Sequence, residues 1–263
     1  MDYSPLRWVP DRCGAPTRHA DGTRMNSTIS PRANGLLASL GEDVWQRWAS
    51  RLEPVALPSG RVLYESGVPM GHVYFPTTAI VSLLHVLEDG SSAEIAVVGR
   101  EGLVGIALFM GGESTPSRGV VQIAGQACRV HAGFVKQEFD RSPEVMHLLL
   151  RYTQALITQI AQTAVCNRHH ALDQQLCRWL LLRLDRIRGD ELATTQEHIA
   201  GMLGVRREGV TEAALKLQRD GLIRYARGRI TVLDRPGLEA RTCECYAVVK
   251  QEYDRLLPAR TAD

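Results

Sequence analysis

Five polar side chains, Arg206, Arg207, Glu208, Thr211 and Glu212, fall within two turns of a segment patterned as a helix. The segment 206–219 turns Val210, Ala213, Ala214 and Leu217 to one side, which leaves these polar groups on the other. Arg can donate to both major-groove acceptors of a guanine, and Glu can accept from a cytosine amine. Arg207, Glu208, Thr211 and Glu212 are therefore the expected base-reading set. Arg206, Lys216, Arg227 and Arg229 suit phosphate contacts, which position a duplex without reading it.

Other chemistries find less to stand on. The sequence holds no G-x-S-x-G, H-E-x-x-H or Walker pattern, and its acids and histidines lie scattered, so no enzyme is expected. Cys243 and Cys245 form a C-x-C that is too sparse for zinc without two more ligands. His169 and His170, near a predicted hinge, offer only weak support, and no metal site or cofactor is assigned. The six cysteines follow no disulfide framework and no secretory segment opens the chain, so a reducing cytoplasm is the simplest compartment.

The elements that must position the basic helix can be read around it. A first helix from Thr195 to Leu203 places Ile199, Ala200 and Leu203 inward, and Gly204 can end it in a left-handed conformation. Asp220–Gly221 stops the second helix. Two strands follow, beginning at Leu222–Ile223 and at Ile230, with a turn at Arg227–Gly228–Arg229 between them. Helix, tight turn, helix and β-wing is the winged helix-turn-helix order. A further buried helix, with Leu176, Trp179, Leu180, Leu182, Leu184 and Ile187, precedes it, and the whole unit is expected over 171–240. Residues 241–263 are a C-terminal extension.

Upstream, residues 1–34 are rich in Pro, Gly and Arg and read as a mobile tail. Met25 within it is a candidate start. A short helical region over 35–52 ends at Pro54 and Pro58. Short strands then follow at 61–64, 72–76, 80–87, 92–98, 119–123 and 127–131, with a hairpin turn at Glu88–Asp89–Gly90. Many short strands spaced by glycines favour a closed barrel or jelly roll, rather than a parallel sheet, for the unit spanning 35–142.

Residues 143–170 predict one long helix. Leu149, Tyr152, Leu156, Ile160 and Thr163 share a stripe with Val145. Met146, Leu148, Leu150, Ala155, Ile157 and Ala161 widen the apolar surface. A helix apolar on two sides packs on its own domain and on a second copy, so the first stripe is expected at a homodimer interface, with burial inside one subunit as the alternative. The formal net charge of +2 argues for no polyanion by itself, so the local Arg cluster carries that case. No apolar run reaches membrane-spanning length.

With these elements in order, the chain resembles the Crp/Fnr family of bacterial transcription regulators over roughly residues 35–235. The likeness rests on LEDGSSAEIAVVGREGLVG at 87–105, RGVVQIAGQACRV at 118–130 and IAGMLGVRREGVTEAALKLQRDGLI at 199–223. It implies an α+β architecture: an N-terminal cyclic-nucleotide-binding-like β-roll, a long dimerisation helix and a C-terminal winged helix-turn-helix. It further implies a homodimer on a palindromic duplex, with RNA polymerase as a further partner.

The likeness places the effector pocket at Gly105, Ile106, Arg118 and Gly119. In cyclic-AMP-binding members a Gly–Glu pair holds the ribose hydroxyls, whereas Ile106 stands in the acid's place here. Arg118 can be matched to the phosphate arginine only by allowing extra residues in the 111–117 loop. Cyclic AMP is therefore not the expected effector, and another small molecule is left open. Oxygen-sensing members carry an amino-terminal cysteine cluster, but Cys13 stands alone there. His72, His85 and His131 are the histidines available as haem ligands, with no second signal. Arg207 and Glu208 match the family's base-reading pair. Glu212 replaces a second arginine, so an altered half-site is expected. Two alternatives stay open: a ligand-responsive Crp-like activator, and a β-roll regulator of a partner protein that does not read DNA.

Overall fold

The computed structural model describes residues 30–257. The expected tail therefore lies outside the described residues except for 30–34, which form a short turn capped by Ser30. Two helices follow, α1 (Gly35–Ala38) and α2 (Glu42–Ala49). Asn34 starts the first of them by accepting from the amides of Leu36 and Leu37, while its own amide donates to Pro76 and Gly102 carbonyls at 2.8 Å. One buried side chain thus caps a helix and ties it to the end of the His72–Pro76 strand and to the turn at Gly102.

Seven strands build the roll: β1 (Glu53–Leu57), β2 (Val62–Tyr64), β3 (His72–Pro76), β4 (Ile80–Val86), β5 (Ser92–Val98), β6 (Ser117–Ile123) and β7 (Gly125–His131). They form two antiparallel sheets, ordered β1-β7-β3 and β2-β6-β4-β5. The hairpin at Asp89–Gly90 forms as expected, with Gly90 at φ 84° and the Asp89 carboxylate accepting from the Ser91 amide. β1 was not expected, because Pro54 and Pro58 read as helix stops. It is tolerated because β1 pairs only with β7 and is a sheet edge, where a residue without an amide hydrogen can sit.

Helix α3 (Ala132–Arg141) leads into α4 (Pro143–His169), which Ser142 caps and Pro143 opens. The α4 stripe departs from expectation. Leu149, Tyr152 and Leu156 are buried in the chain's own core, and Ile160 and Thr163 are half-buried. Leu149, Tyr152 and Leu156 are therefore not free to meet a second copy. The Tyr152 hydroxyl donates to the Leu103 carbonyl at 2.8 Å, and Gly102 makes room for its ring, where a Cβ would lie 2.4 Å away. The other side of α4 keeps Leu150, Ile157 and Val165 44%, 53% and 46% exposed.

Beyond the hinge come α5 (Leu172–Leu184), β8 (Glu191–Ala193), α6 (Gln196–Leu203), α7 (Arg207–Arg219), β9 (Ile223–Ala226), β10 (Arg229–Val232), α8 (Arg235–Arg241) and α9 (Glu244–Leu256). The small sheet runs β8-β10-β9. β8 was not legible because three residues give no period. The C-terminal extension is largely α9, whose Tyr246, Val249 and Tyr253 are buried. The Tyr253 hydroxyl accepts from Gln159 of α4 at 2.9 Å, so α9 packs back on the long helix. Among the described residues no helix is long and apolar enough to cross a membrane.

Candidate functional site

Thr195 caps α6 by accepting from the His198 amide, and Gly204 ends it at φ 67°. The Val205 amide then bonds the Ala200 carbonyl at 3.0 Å, which closes the turn and sets the start of α7. Val210, Ala213, Ala214 and Leu217 are buried beneath α7. Arg206 sits at its N-cap with no side chain capping the first amides, so those donors face outward with Arg206, Arg207 and Glu208 exposed around them. An uncapped amino end with two arginines attracts phosphate through both the helix dipole and full charges.

The proposed contact residues separate into two groups. Arg206, Arg207 and Arg227 are exposed and have no ion-pair partner among the described residues, and Glu208 and Glu212 are exposed likewise; Arg224 of β9 is exposed and unpaired in the same way. Lys216 and Arg229 are engaged: Lys216 lies 2.8 Å from Asp173 of α5, and Arg229 lies 2.5 Å from Glu191 of β8. Thr211 is engaged too. Its hydroxyl donates to the Gln196 side chain at 2.7 Å, joining α7 to the start of α6. These pairings link residues distant in sequence, so no local pattern announced them. The wing turn is tighter than expected: Ala226 pairs directly with Arg229, leaving only Arg227 and Gly228 in the loop, at φ 51° and 75°. Such turns favour Asn or Gly at the first of these positions, so an arginine here is strained.

Inside the roll a cavity of about 300 Å³ is lined by Tyr64, Met70, Leu83, Gly105, Ile106 and Ser117, and by Leu156 and Ile160 of α4. Of the four residues expected at an effector pocket, Gly105 and Ile106 line this cavity. Arg118 and Gly119 do not. The Arg118 guanidinium lies 3.2 Å from Glu65, and the Tyr64 ring covers the face of Gly119, where a Cβ would fall 2.5 Å from it. The hydroxyls of the lining satisfy one another: Tyr64 and Ser117 lie 2.9 Å apart, and Thr115 and Ser117 3.2 Å. Burial raises the Tyr64 hydroxyl above its ordinary pKa, so it stays a neutral donor and acceptor. Among the described residues no charged side chain lines the cavity.

The roll and the winged helix are locked to each other by groups no sequence pattern indicated. Arg183 of α5 meets Glu94 of β5 at 2.5 Å, and Arg186 meets Glu101 at 2.7 Å, all four buried. His198 of α6 hydrogen-bonds Gln122 of β6. A cleft of about 690 Å³ opens beside this seam, lined in part by Arg100, Gln122 and Arg188. At the hinge, Cys166, His170, Cys243 and Cys245 come together, while His169 stays exposed.

The chain matches the Crp-like helix-turn-helix domain over residues 174–241 and the cyclic nucleotide-binding domain over 54–142. Among solved structures it is similar to a Crp/Fnr-family transcriptional regulator from Eubacterium rectale. The TM-score is 0.64 and the identity 17%, covering 80% of this chain and 98% of that one. FixK2 from Bradyrhizobium japonicum follows at a TM-score of 0.62 and 18% identity, covering 73% of this chain and 98% of that one. The c-di-GMP-responsive regulator CLP of Xanthomonas campestris gives 0.59 and 16%, covering 74% and 100%. Identities this low establish the shared fold. No curated protein matches the sequence.

Proposed function

This chain belongs to the Crp/Fnr family of transcription regulators, and from that premise we propose that it reads a specific DNA site as a homodimer, under an effector other than cyclic AMP. The observation that carries the reading is the amino end of α7, where exposed Arg206, Arg207 and Glu208 lack ion-pair partners within the described chain. Arg183 and Arg186 at the seam are matched to carboxylates, whereas these charges are not, which suits a polyanion. In this reading Arg207, Glu208 and Glu212 address base edges, while Arg206, Arg224 and Arg227 hold phosphates.

The dimer surface is the outer face of α4, where Leu150, Ile157 and Val165 stand exposed with Ala161 and Ala164 between them. A second copy covering this stripe places two α7 helices about a two-fold axis, which calls for a palindromic duplex. DNA and a second copy are the direct partners, and RNA polymerase is the partner an activator of this kind addresses.

The cavity supports an uncharged or weakly polar effector. A cyclic nucleotide would bury its phosphate among Tyr64, Ser117 and aliphatic groups with no cation to meet it, a costly loss of charge pairing. Because Leu156 and Ile160 form part of the wall, a ligand there presses directly on α4, the helix joining roll to hinge. It acts by favouring one arrangement of the paired winged helices over the other. A selected-site DNA library tests the reading: one palindromic sequence should emerge, bound by a species of twice the chain mass in light scattering. Calorimetry with cyclic AMP should show no binding at micromolar concentration. A monomer without sequence preference would overturn the proposal.

A further inference from the structure

The hinge between α4 and α5 gathers three thiols and an imidazole from parts of the chain far apart in sequence. Cys166 lies in the last turn of α4, His170 caps that helix, Cys243 caps α9 and Cys245 lies in its first turn. One ligand atom from each falls within 4.8 Å of all the others. The Sγ atoms of Cys166 and Cys243 are 3.5 Å apart, and the Sγ of Cys245 is 3.6 Å from Nδ1 of His170. The three cysteines are only 0%, 4% and 1% exposed, and they form a cluster separate from the main apolar core. A buried cysteine is ordinarily a small apolar filler within a core. These three instead face one another.

We propose that Cys166, His170, Cys243 and Cys245 form a closed tetrahedral zinc site that clamps the hinge to the helix following the wing. Bonds of about 2.3 Å to sulfur and 2.0–2.1 Å to nitrogen imply tetrahedral edges of about 3.8 Å between sulfurs and about 3.6 Å between sulfur and nitrogen. The observed 3.5 and 3.6 Å fit that sphere with little movement. A disulfide needs sulfurs about 2.0 Å apart and would use only two of the four groups. An iron–sulfur cluster distributes its ligands over more than one iron, and so over a wider shell than this one. Three thiolates with one imidazole select zinc over the hard cations, and four protein ligands leave no position for water or substrate.

The surroundings complete the site. The far nitrogen of His170, Nε2, lies 3.3 Å from the Glu244 carboxylate, which holds the ring with Nδ1 turned inward. A carboxylate behind a ligating histidine is the usual outer support of a zinc site. Zinc with three thiolates carries one net negative charge. The hydrogen bond with Cys243 and burial raise the Cys166 thiol, and burial raises Cys245, but buried Arg178, whose Nη2 donates to Thr163 at 2.7 Å, acts the other way on both. It supplies the compensating positive charge.

The site does not depend on what α7 reads, so its test is separate from any DNA measurement. The full chain, purified under thiol reductant without added metal, should contain about one zinc per chain by elemental analysis. Cobalt(II) titrated into the chelator-stripped protein should give thiolate charge-transfer absorption and the strong visible bands of a tetrahedral ion. Cys166→Ser and Cys243→Ser should each weaken cobalt binding at least tenfold. Cys177→Ser, on α5 outside the cluster, should leave it unchanged, and His170→Cys should retain it with a spectrum shifted toward four sulfurs. If the serine variants do not fold, the wild-type spectrum alone decides. Absence of metal and of the tetrahedral bands, an iron–sulfur chromophore, or bands that survive in Cys166→Ser would each overturn the proposal.

Discussion

Helix α5 with the turn after it, and helix α7 with the wing, carry the same basic side chain to opposite fates. Arg183 and Arg186 are sealed inside the molecule, each against a buried glutamate of the roll, and Arg183 also lies 3.5 Å over the Trp179 ring. Burial pulls the Arg183 guanidinium below its ordinary pKa while Glu94 pulls it back up. Arg206, Arg207, Arg224 and Arg227 stand exposed with no ion-pair partner among the described residues. A guanidinium can leave water only where a partner replaces its hydration, so the first set serves the fold. The second set makes no ion pair among the described residues, which is why it is proposed to meet phosphates and base edges. Exposure and pairing, and not residue type, separate the arginines that hold the fold from those proposed for recognition.

The largest expected effect breaks the buried set. Glu101→Ala strands the Arg186 charge without its partner and should cost about 3–5 kcal/mol in denaturant unfolding, much of it restored in the double variant with Arg186→Met. A cost below about 1 kcal/mol would show that the pair does not hold the two units together.

Arg207→Ala addresses the exposed set. It should leave the unfolding midpoint nearly unchanged but weaken the selected duplex by about 1–3 kcal/mol and relax one base preference. Arg227→Ala should weaken all duplexes alike and reduce the salt slope by roughly one counterion. Titrations of both variants on selected and scrambled duplexes at several salt concentrations would separate the roles.

A smaller effect sits at the seam. Burial lowers the His198 pKa, with the Arg183 charge acting in the same direction and Glu94 against it. The folded protein therefore binds this proton less readily than the unfolded chain does. Its contribution is full above about pH 6.5 and is lost as the pH falls from there toward the depressed value. Melting curves from pH 7.5 to 5 should show this loss, and His198→Gln, which keeps a partner for Gln122, should flatten it.

The smallest effect concerns the wing. Arg227→Asn places a residue suited to positive φ at the first position of the two-residue turn, and should stabilise the fold by about 0.5–1 kcal/mol while lowering DNA affinity. A gain in stability with affinity unchanged would remove Arg227 from the DNA surface.

Much of this division was legible in advance wherever the governing contacts are local. The α6–Gly204–α7 unit, the wing and the hairpin at Asp89–Gly90 depend on periodicity, caps and left-handed glycines within a few residues of one another, and these are written in the amino-acid order. What tertiary structure alone decided are the pairings across long separations. Both faces of α4 are apolar, so only packing could show that Leu149, Tyr152 and Leu156 turn inward while Leu150 and Ile157 remain outside. Lys216 looks free in sequence until α5 brings Asp173 to it, as Arg229 does until β8 brings Glu191. Cys166 and Cys243 stand 77 residues apart, and the C-x-C at 243–245 was discounted for want of ligands that the fold of α9 against α4 supplies. Local geometry depends on neighbours in the chain, whereas a site of this kind depends on where the chain returns, and that is set by burial of the whole core.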